Sequence, residues 1–106
     1  MITTFDKREE GFEKQFVHDE ELRFKAMARR NKMLGLWAAG ILGKTGADAE
    51  SYSKDVVLAE FEAGGVEDVL RKVVKDLEPK GVTEQQIRTQ MDQFLSEAVA
   101  QIKKSG

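Results

Sequence analysis

The residues best suited to chemistry are Gly43-Lys44-Thr45, which have the form of the end of a phosphate-binding loop. Such a loop also needs a glycine five positions before Gly43, so that a nest of backbone N–H groups can surround the phosphate. That position is Ala38, and it lies in a helical pattern and not after a strand. A hydrolytic phosphate loop is therefore excluded. What remains is weak ADP or ATP binding by Lys44 and Gly46, at the start of a predicted helix.

Other catalytic and metal chemistry has little support in the sequence. There is no cysteine, and His18 is the single histidine, so thiol catalysis, a zinc site and a Ser-His-Asp triad are all disfavoured. His18 as a pH sensor is a weaker interpretation than His18 as a surface residue. The acidic pairs, such as Glu9 with Glu10, are adjacent in sequence and do not face one pocket on a helix. We predict no catalytic residue, no metal, no cofactor and no enzymatic activity.

Composition limits the class of protein. The 106 residues are 34% charged and 41% hydrophobic, with a net charge of -2. The longest apolar run, residues 33–43, is shorter than the roughly 20 residues that span a bilayer. The N-terminus has no apolar signal-peptide core. We therefore expect a cytoplasmic protein of one domain without membrane insertion, and the net charge gives no general attraction to nucleic acid.

Apolar spacing predicts an all-α fold, a small four-helix bundle over residues 18–106. The first helix begins near Asp19 and ends at Gly43, and glycines 64 and 65 separate the second from the third. Capping boxes are predicted to open the second and fourth helices, and the segment 78–81 is predicted to end the third. Those capping boxes pair Thr45 with Asp48 and Thr83 with Gln86. The side chains expected to face the core include Phe24, Phe61 and Val66.

Residues 1–17 differ from the rest of the chain. They are mostly charged or polar, with Gly11 in the middle and three isolated phenylalanines, Phe5, Phe12 and Phe16. Their spacings of seven and four place these rings on one side of a helix, but such a thin stripe does not stabilise a short helix in water. We predict a mobile, disordered N-terminal arm that becomes helical on meeting a partner.

A basic block follows an acidic one along the chain. Acidic residues predominate among the charges of 1–21, and the basic block comprises Arg23, Lys25, Arg29 and Arg30, with Lys32 after it. Separated charge of this kind favours docking to a protein partner. The competing interpretation is a solvated helix face carrying weak pairs such as Glu21 with Lys25. A third, nucleic-acid binding by residues 23–32, lacks interleaved aromatic residues and overall basicity.

The sequence resembles a known family along essentially its whole length. In order and spacing, the runs "FDKREEGFEKQF", "HDEELRFKA", "ARRNKMLGLWAA" and "LGKTG" are similar to the N-terminal half of the zeta inhibitor subunits of alphaproteobacterial F-type ATP synthases. The runs "GGVEDVLRKV" and "QIRTQMDQFL" resemble the C-terminal half more loosely. The specific part of the likeness is residues 3–46.

This resemblance implies a non-enzymatic inhibitor of ATP hydrolysis, with a four-helix bundle behind a mobile arm. The arm is expected to become helical between the alpha and beta subunits, near the central stalk, and to block hydrolytic rotation. The protein would then be cytoplasmic and peripheral on the inner membrane. The arm residues implied are Phe5, Arg8, Phe12, Lys14 and Phe16, and the basic start of the first helix would follow with further contacts. Gly11, where a better helix former is expected, lowers helix propensity by roughly 0.5–1 kcal/mol. The alternative is a helical nucleotide-sensing or protein-docking module with weak or no inhibition.

Overall fold

The computed structural model describes residues 20–62 and 64–105. Within these ranges the chain forms four α-helices and no strand: α1 Glu20–Ile41, α2 Gly46–Ala59, α3 Val66–Leu77 and α4 Glu84–Ser105, with a 3₁₀ turn at Glu78–Lys80 between α3 and α4. The predicted four-helix fold is confirmed. The predicted arm and its boundary at residue 17 lie outside the described residues.

Helix α1 is the central element of the bundle. It packs along α2 on one side and α4 on another, and α3 contacts all three of the other helices. The main core is apolar, as ridges of Leu, Val and Ala at helical spacing require. Its buried members are Leu34, Ala38, Ala39, Tyr52, Val56, Ala59, Val69, Leu70, Val73, Leu77, Ile87 and Met91. A smaller cluster of Ala26, Val99 and Ile102 joins the start of α1 to the end of α4.

Helices α1 and α2 approach each other most closely at Gly35. A Cβ built at this position would lie 2.6 Å from the backbone Cα of Ser53, so only glycine fits without a shift of one helix. The Ser53 hydroxyl donates a hydrogen bond to the Lys32 carbonyl at 3.0 Å, which joins the two helices at the same point. The absence of a side chain at Gly35 therefore sets the separation of α1 and α2.

The turn that includes Gly43 ends α1 as its sequence predicts. Gly43 has φ of +80°, the left-handed conformation that glycine adopts without strain. Its N–H donates to the Gly40 carbonyl at 3.2 Å, and the Lys44 N–H donates to the Ala39 carbonyl at 2.9 Å. This pair of hydrogen bonds is a Schellman motif, which satisfies two of the carbonyls left free at a helix end.

Of the two predicted capping boxes, one is present and one is wrong. At the start of α4, the Thr83 N–H donates to Gln86 Oε1 at 2.9 Å, and the Gln86 N–H donates to Thr83 Oγ1 at 3.1 Å. Thr45 is the N-cap of α2, but its side chain makes no capping hydrogen bond. The reason is that Gly46, the first residue of α2, has φ of +55°, which departs from the regular first turn that a capping box requires.

Three residues predicted to face the core are exposed. Phe24 and Phe61 are 55% and 61% exposed, and Val66 is 38% exposed. Helix α2 ends at Ala59, so Phe61 lies in the following turn and not on a packed helix face. Phe24 lies one turn into α1, where the main core has not yet begun. Helical spacing alone predicts which side these residues occupy but not where the neighbouring helices end.

Candidate protein-binding surface

The predicted inhibitory residues Phe5, Arg8, Phe12, Lys14 and Phe16 all lie outside the described residues, as does His18. Their roles stay predictions. The described chain begins with α1 at Glu20, so the part of the candidate site whose geometry is known is the surface around the start of this helix.

Exposed basic residues form a stripe on α1. Lys25, Arg29 and Lys32 follow one another at steps of four and three, which places them on one face of the helix, and all three are exposed. Lys25 Nζ lies 3.3 Å from Glu21 Oε1, an ion pair open to solvent and of small energetic weight. Arg29 donates a hydrogen bond to Gln101 Oε1 on α4 at 3.3 Å, which positions its guanidinium without neutralising it. We call these three residues the basic stripe. Arg23 is also exposed.

Arg30, predicted to belong to the exposed basic face, is instead buried. It is 4% exposed, and its side chain donates to Asn31 Oδ1 at 3.0 Å and to Glu60 Oε1 at 3.3 Å. Asn31 Nδ2 donates to the same Glu60 oxygen at 2.8 Å. The prediction is therefore wrong for Arg30, because a guanidinium with these partners faces the junction of α1 with the end of α2.

Burial lowers the pKa of the Arg30 guanidinium, and the negative charges of Glu60 and Asp92 oppose this effect. The guanidinium stays charged, since arginine is protonated throughout the accessible range of pH. One feature of the sequence could have predicted that Arg30 is buried. Arg30 lies at four-residue steps from the buried Ala26 and Leu34, on the same helix face.

A second polar network joins α2 to α3. The Tyr52 hydroxyl donates to Asp76 Oδ2 at 2.7 Å, and Lys72 Nζ lies 3.3 Å from the same oxygen and 4.8 Å from the centre of the tyrosine ring. Burial raises the pKa of Tyr52, and its hydrogen bond to Asp76 raises it further. This tyrosine therefore stays a neutral donor, and its role in this arrangement is to hold two helices together.

The nucleotide-contact residues Lys44 and Gly46 lie in the exposed turn before α2. Lys44 Nζ is 6.0 Å from the centre of the Tyr52 ring, at the outer limit of a cation–π contact. A groove of about 310 Å³ lies elsewhere, between α3, the 3₁₀ turn and α4, and its lining includes neither Lys44 nor Gly46. The lining side chains are Glu67, Leu70, Arg71, Val74, Lys75, Glu78, Glu84 and Arg88. Nucleotide contact at Lys44 and Gly46 stays a prediction.

The sequence did not predict an exposed aromatic pair beside the basic stripe. The Phe24 and Phe61 ring centres are 5.6 Å apart with an interplanar angle of 44°, a tilted arrangement favourable for two aromatic rings. Leu58, one turn before Phe61, is 60% exposed.

Among the residues that the structure describes, no group of three His, Cys, Asp or Glu side chains is arranged to hold a metal ion. None of the described helices is both long and apolar enough to cross a membrane.

Basic side chains, exposed aromatic rings and a compact helical core define the class: a small all-α protein with a surface suited to contacts with another protein. The particular family follows from the sequence. The family model of ATPase inhibitor subunit zeta matches residues 2–101, and the chain belongs to that family. The match covers both the N-terminal segment and the bundle, so the resemblance identified from the sequence is confirmed.

A solved structure supports the same fold. A solution NMR structure of another protein shares 45% sequence identity with this chain and superposes with a TM-score of 0.71. The likeness covers 80% of this chain and 99% of the other. Among curated proteins, the comparison finds no match.

Proposed function

We propose that this protein inhibits ATP hydrolysis by an F-type ATP synthase. Its N-terminal arm, residues 1–17, becomes helical between the alpha and beta subunits, near the central stalk, and blocks rotation in the hydrolytic direction. The observation that carries the proposal is membership of the ATPase inhibitor subunit zeta family over residues 2–101, a range that includes the arm. The protein acts without a cofactor and is not itself an enzyme.

The composition of the arm supports insertion into a groove. Phe5, Phe12 and Phe16 share one side of a helix, and an amphipathic helix binds a groove through such anchors. Arg8 and Lys14 add positive charges that carboxylates of the enzyme can pair with. The arm forms its helix only as it binds, so part of the interaction free energy offsets its loss of conformational freedom. Gly11 increases that loss and lowers the affinity.

The packing of the bundle supports separate roles for the bundle, which folds as a unit, and the arm, which inhibits. Within the described residues, the main core draws its buried members from α1 to α4, between Leu34 and Met91. A core formed by all four helices favours a bundle that folds as one unit behind the arm. By this proposal the protein resides on the cytoplasmic side of the inner membrane, where it is bound peripherally through the ATP synthase.

Removal of residues 1–17 tests the proposal. The truncated protein should no longer inhibit ATP hydrolysis by the cognate enzyme, while its melting temperature stays close to that of the intact chain. If the truncated protein inhibits as well as the intact one, the arm is not the inhibitory element and the proposal fails.

Substitutions within the arm sharpen the test. Replacement of Phe5, Phe12 and Phe16 by alanine should raise the concentration for half-inhibition by at least about 100-fold, because each buried aromatic anchor of an interface contributes on the order of 1–2 kcal/mol or more. The matched control replaces three polar arm residues, Thr3, Thr4 and Gln15, by alanine. The control should change inhibition little, and equal losses in both variants would show that the phenylalanines are not anchors.

A further inference from the structure

The exposed rings of Phe24 and Phe61 lie together at the end of the bundle where the N-terminal arm is attached. Each is more than half exposed, and the ring of Phe24 on α1 lies 5.6 Å from the ring of Phe61 in the turn after α2, so the pair forms one apolar surface and not two scattered residues. Leu58 is also exposed (60%) and lies one turn before Phe61, whose N–H donates to the Leu58 carbonyl at 3.0 Å. We call Phe24, Leu58 and Phe61 the aromatic patch. Clustered aromatic and aliphatic side chains on a surface are typical of a protein interface.

The position of the patch limits what can cover it. Phe24 follows Glu20, the first residue of α1, by four residues, which corresponds to about 6 Å along a helix axis. The arm, residues 1–17, ends three residues before Glu20. A partner that holds the arm in a groove therefore has its surface, at the mouth of that groove, within reach of the patch.

The neighbouring charges indicate the chemistry of that surface. Lys25 follows Phe24 directly, and Arg29 and Lys32 continue the basic stripe along the same helix. Exposed carboxylates also lie near the patch: Glu20 and Glu21 precede Phe24, with Glu21 paired to Lys25, and Glu62 follows Phe61. The positive charge is therefore that of the basic stripe, which continues along α1 away from Glu20. A complementary surface is apolar opposite the rings and carries carboxylates at its border.

We propose that the aromatic patch is a second docking site, which contacts the ATP synthase at the mouth of the groove that holds the arm. The surface it meets is an apolar area bordered by acidic side chains. This inference rests on the proposed function, since it takes the arm to be held by that enzyme. The patch then acts as one of two linked contacts, and its binding keeps the arm at a high local concentration beside its own groove.

Inhibition of ATP hydrolysis by three proteins tests the inference: the full chain, its F24A/F61A variant, and a peptide of residues 1–19. The concentration for half-inhibition should be about 10-fold higher for the double variant than for the full chain, and close to that of the peptide. Both positions are exposed, so the variant should fold, and its melting curve checks this. The matched control is L36A, at an exposed leucine (37%) about three-quarters of the way along α1, and it should inhibit like the full chain. If the full chain inhibits and the double variant inhibits equally strongly, the inference is overturned.

Direct binding separates this inference from the proposed function. The affinity of each fluorescently labelled protein for the enzyme should fall about 10-fold in F24A/F61A, whether or not hydrolysis is inhibited. If the full chain binds with patch-dependent affinity but does not inhibit, the proposed function fails and the docking site stands. If the arm peptide inhibits and the double variant binds like the full chain, the docking site fails alone. If no protein binds, both fail.

Two other occupants of the patch give different results. If the arm covers the patch within the free protein, truncation of residues 1–17 will shift the ring resonances of Phe24 and Phe61 in NMR spectra. If a second copy covers it, sedimentation will show a dimer that F24A/F61A dissociates. The docking site predicts that truncation leaves the ring resonances unchanged and that the full chain and F24A/F61A are both monomers. Either of the other outcomes overturns it.

Discussion

The same substitution, glycine to alanine, should have opposite effects at two positions five residues apart in α1. At Gly40 a Cβ would meet nothing within 4 Å, and the residue is exposed. Alanine there removes backbone freedom from the unfolded chain and improves helix propensity, a gain of about 0.5–1 kcal/mol in a helix interior. Because Gly40 lies in the last turn of α1, we take the lower end, about 0.5 kcal/mol of stabilisation.

At Gly35 the same gain in helix propensity is opposed by a collision. The new Cβ would lie 2.6 Å from Ser53 Cα, a backbone atom that cannot rotate away, and 3.3 Å from the Val56 Cβ. Relief requires α1 and α2 to separate, which weakens the Ser53 hydrogen bond to Lys32 and loosens the core around Val56. Overpacking of this kind costs about 1–3 kcal/mol. The net effect expected for G35A is a loss of about 1–2 kcal/mol once the propensity gain is subtracted.

Thermal unfolding followed by circular dichroism measures both changes. For a domain of this size, 1 kcal/mol corresponds to about 4–8 °C in melting temperature. G40A should therefore melt about 2–4 °C higher than the parent protein, and G35A at least about 4 °C lower. If G35A is as stable as G40A, the close approach of α1 and α2 at Gly35 is not a feature of the folded protein, and the reasoning is refuted.

Three further predictions concern polar contacts. Replacement of Glu60 by glutamine should lower the free energy of unfolding by about 2 kcal/mol in urea denaturation. The loss is smaller than for a fully buried pair because Glu60 is 22% exposed. An unchanged free energy of unfolding would show that Arg30 does not need the negative charge of Glu60. Absorbance titration of Tyr52, the single tyrosine, should give tyrosinate at higher pH in the folded than in the unfolded protein. The raised pKa of Tyr52 stabilises the folded state at pH values below its ordinary pKa near 10, and this stabilisation is lost as the pH rises above that value. Equal titration in both states would contradict a buried hydroxyl. Alanine at Thr83 should destabilise by about 1 kcal/mol, while alanine at Thr45 should cost much less, and equal losses would contradict the difference between their caps.

The ends of the helices were predictable because they depend on local chemistry. Gly43 ends α1 through its own left-handed conformation, and Thr83 with Gln86 opens α4 through hydrogen bonds that span three residues. Thr45 shows the limit of this approach. Its residue type and its spacing to Asp48 fit a capping box, but the conformation of Gly46 between them decides the outcome, and composition does not reveal that conformation.

The candidate site was less predictable because its arrangement depends on distant parts of the chain. Arg30 is withdrawn from the surface by Glu60, thirty residues later in the sequence. The exposure of Phe24 follows from the end of α2 at Ala59, which leaves its ring beside Phe61 and 55% exposed. When α1 is considered alone, Phe24 fits a buried helical stripe and Arg30 fits an exposed basic block. Only the packing of α1 against α2 shows that one is internal and the other external.

The division of the apolar interior into two unequal clusters has a consequence for local stability. Among the described residues, the end of the bundle where α1 begins is held by a cluster of Ala26, Val99 and Ile102, with Leu22 and Leu95 packed against it, a smaller group than the main core. Elements with few buried apolar contacts open at a lower free energy than the molecule as a whole. Amide protons in the first two turns of α1 should therefore exchange with solvent well before those around Leu34. The start of this helix can then adjust its direction during docking while the rest of the bundle stays folded.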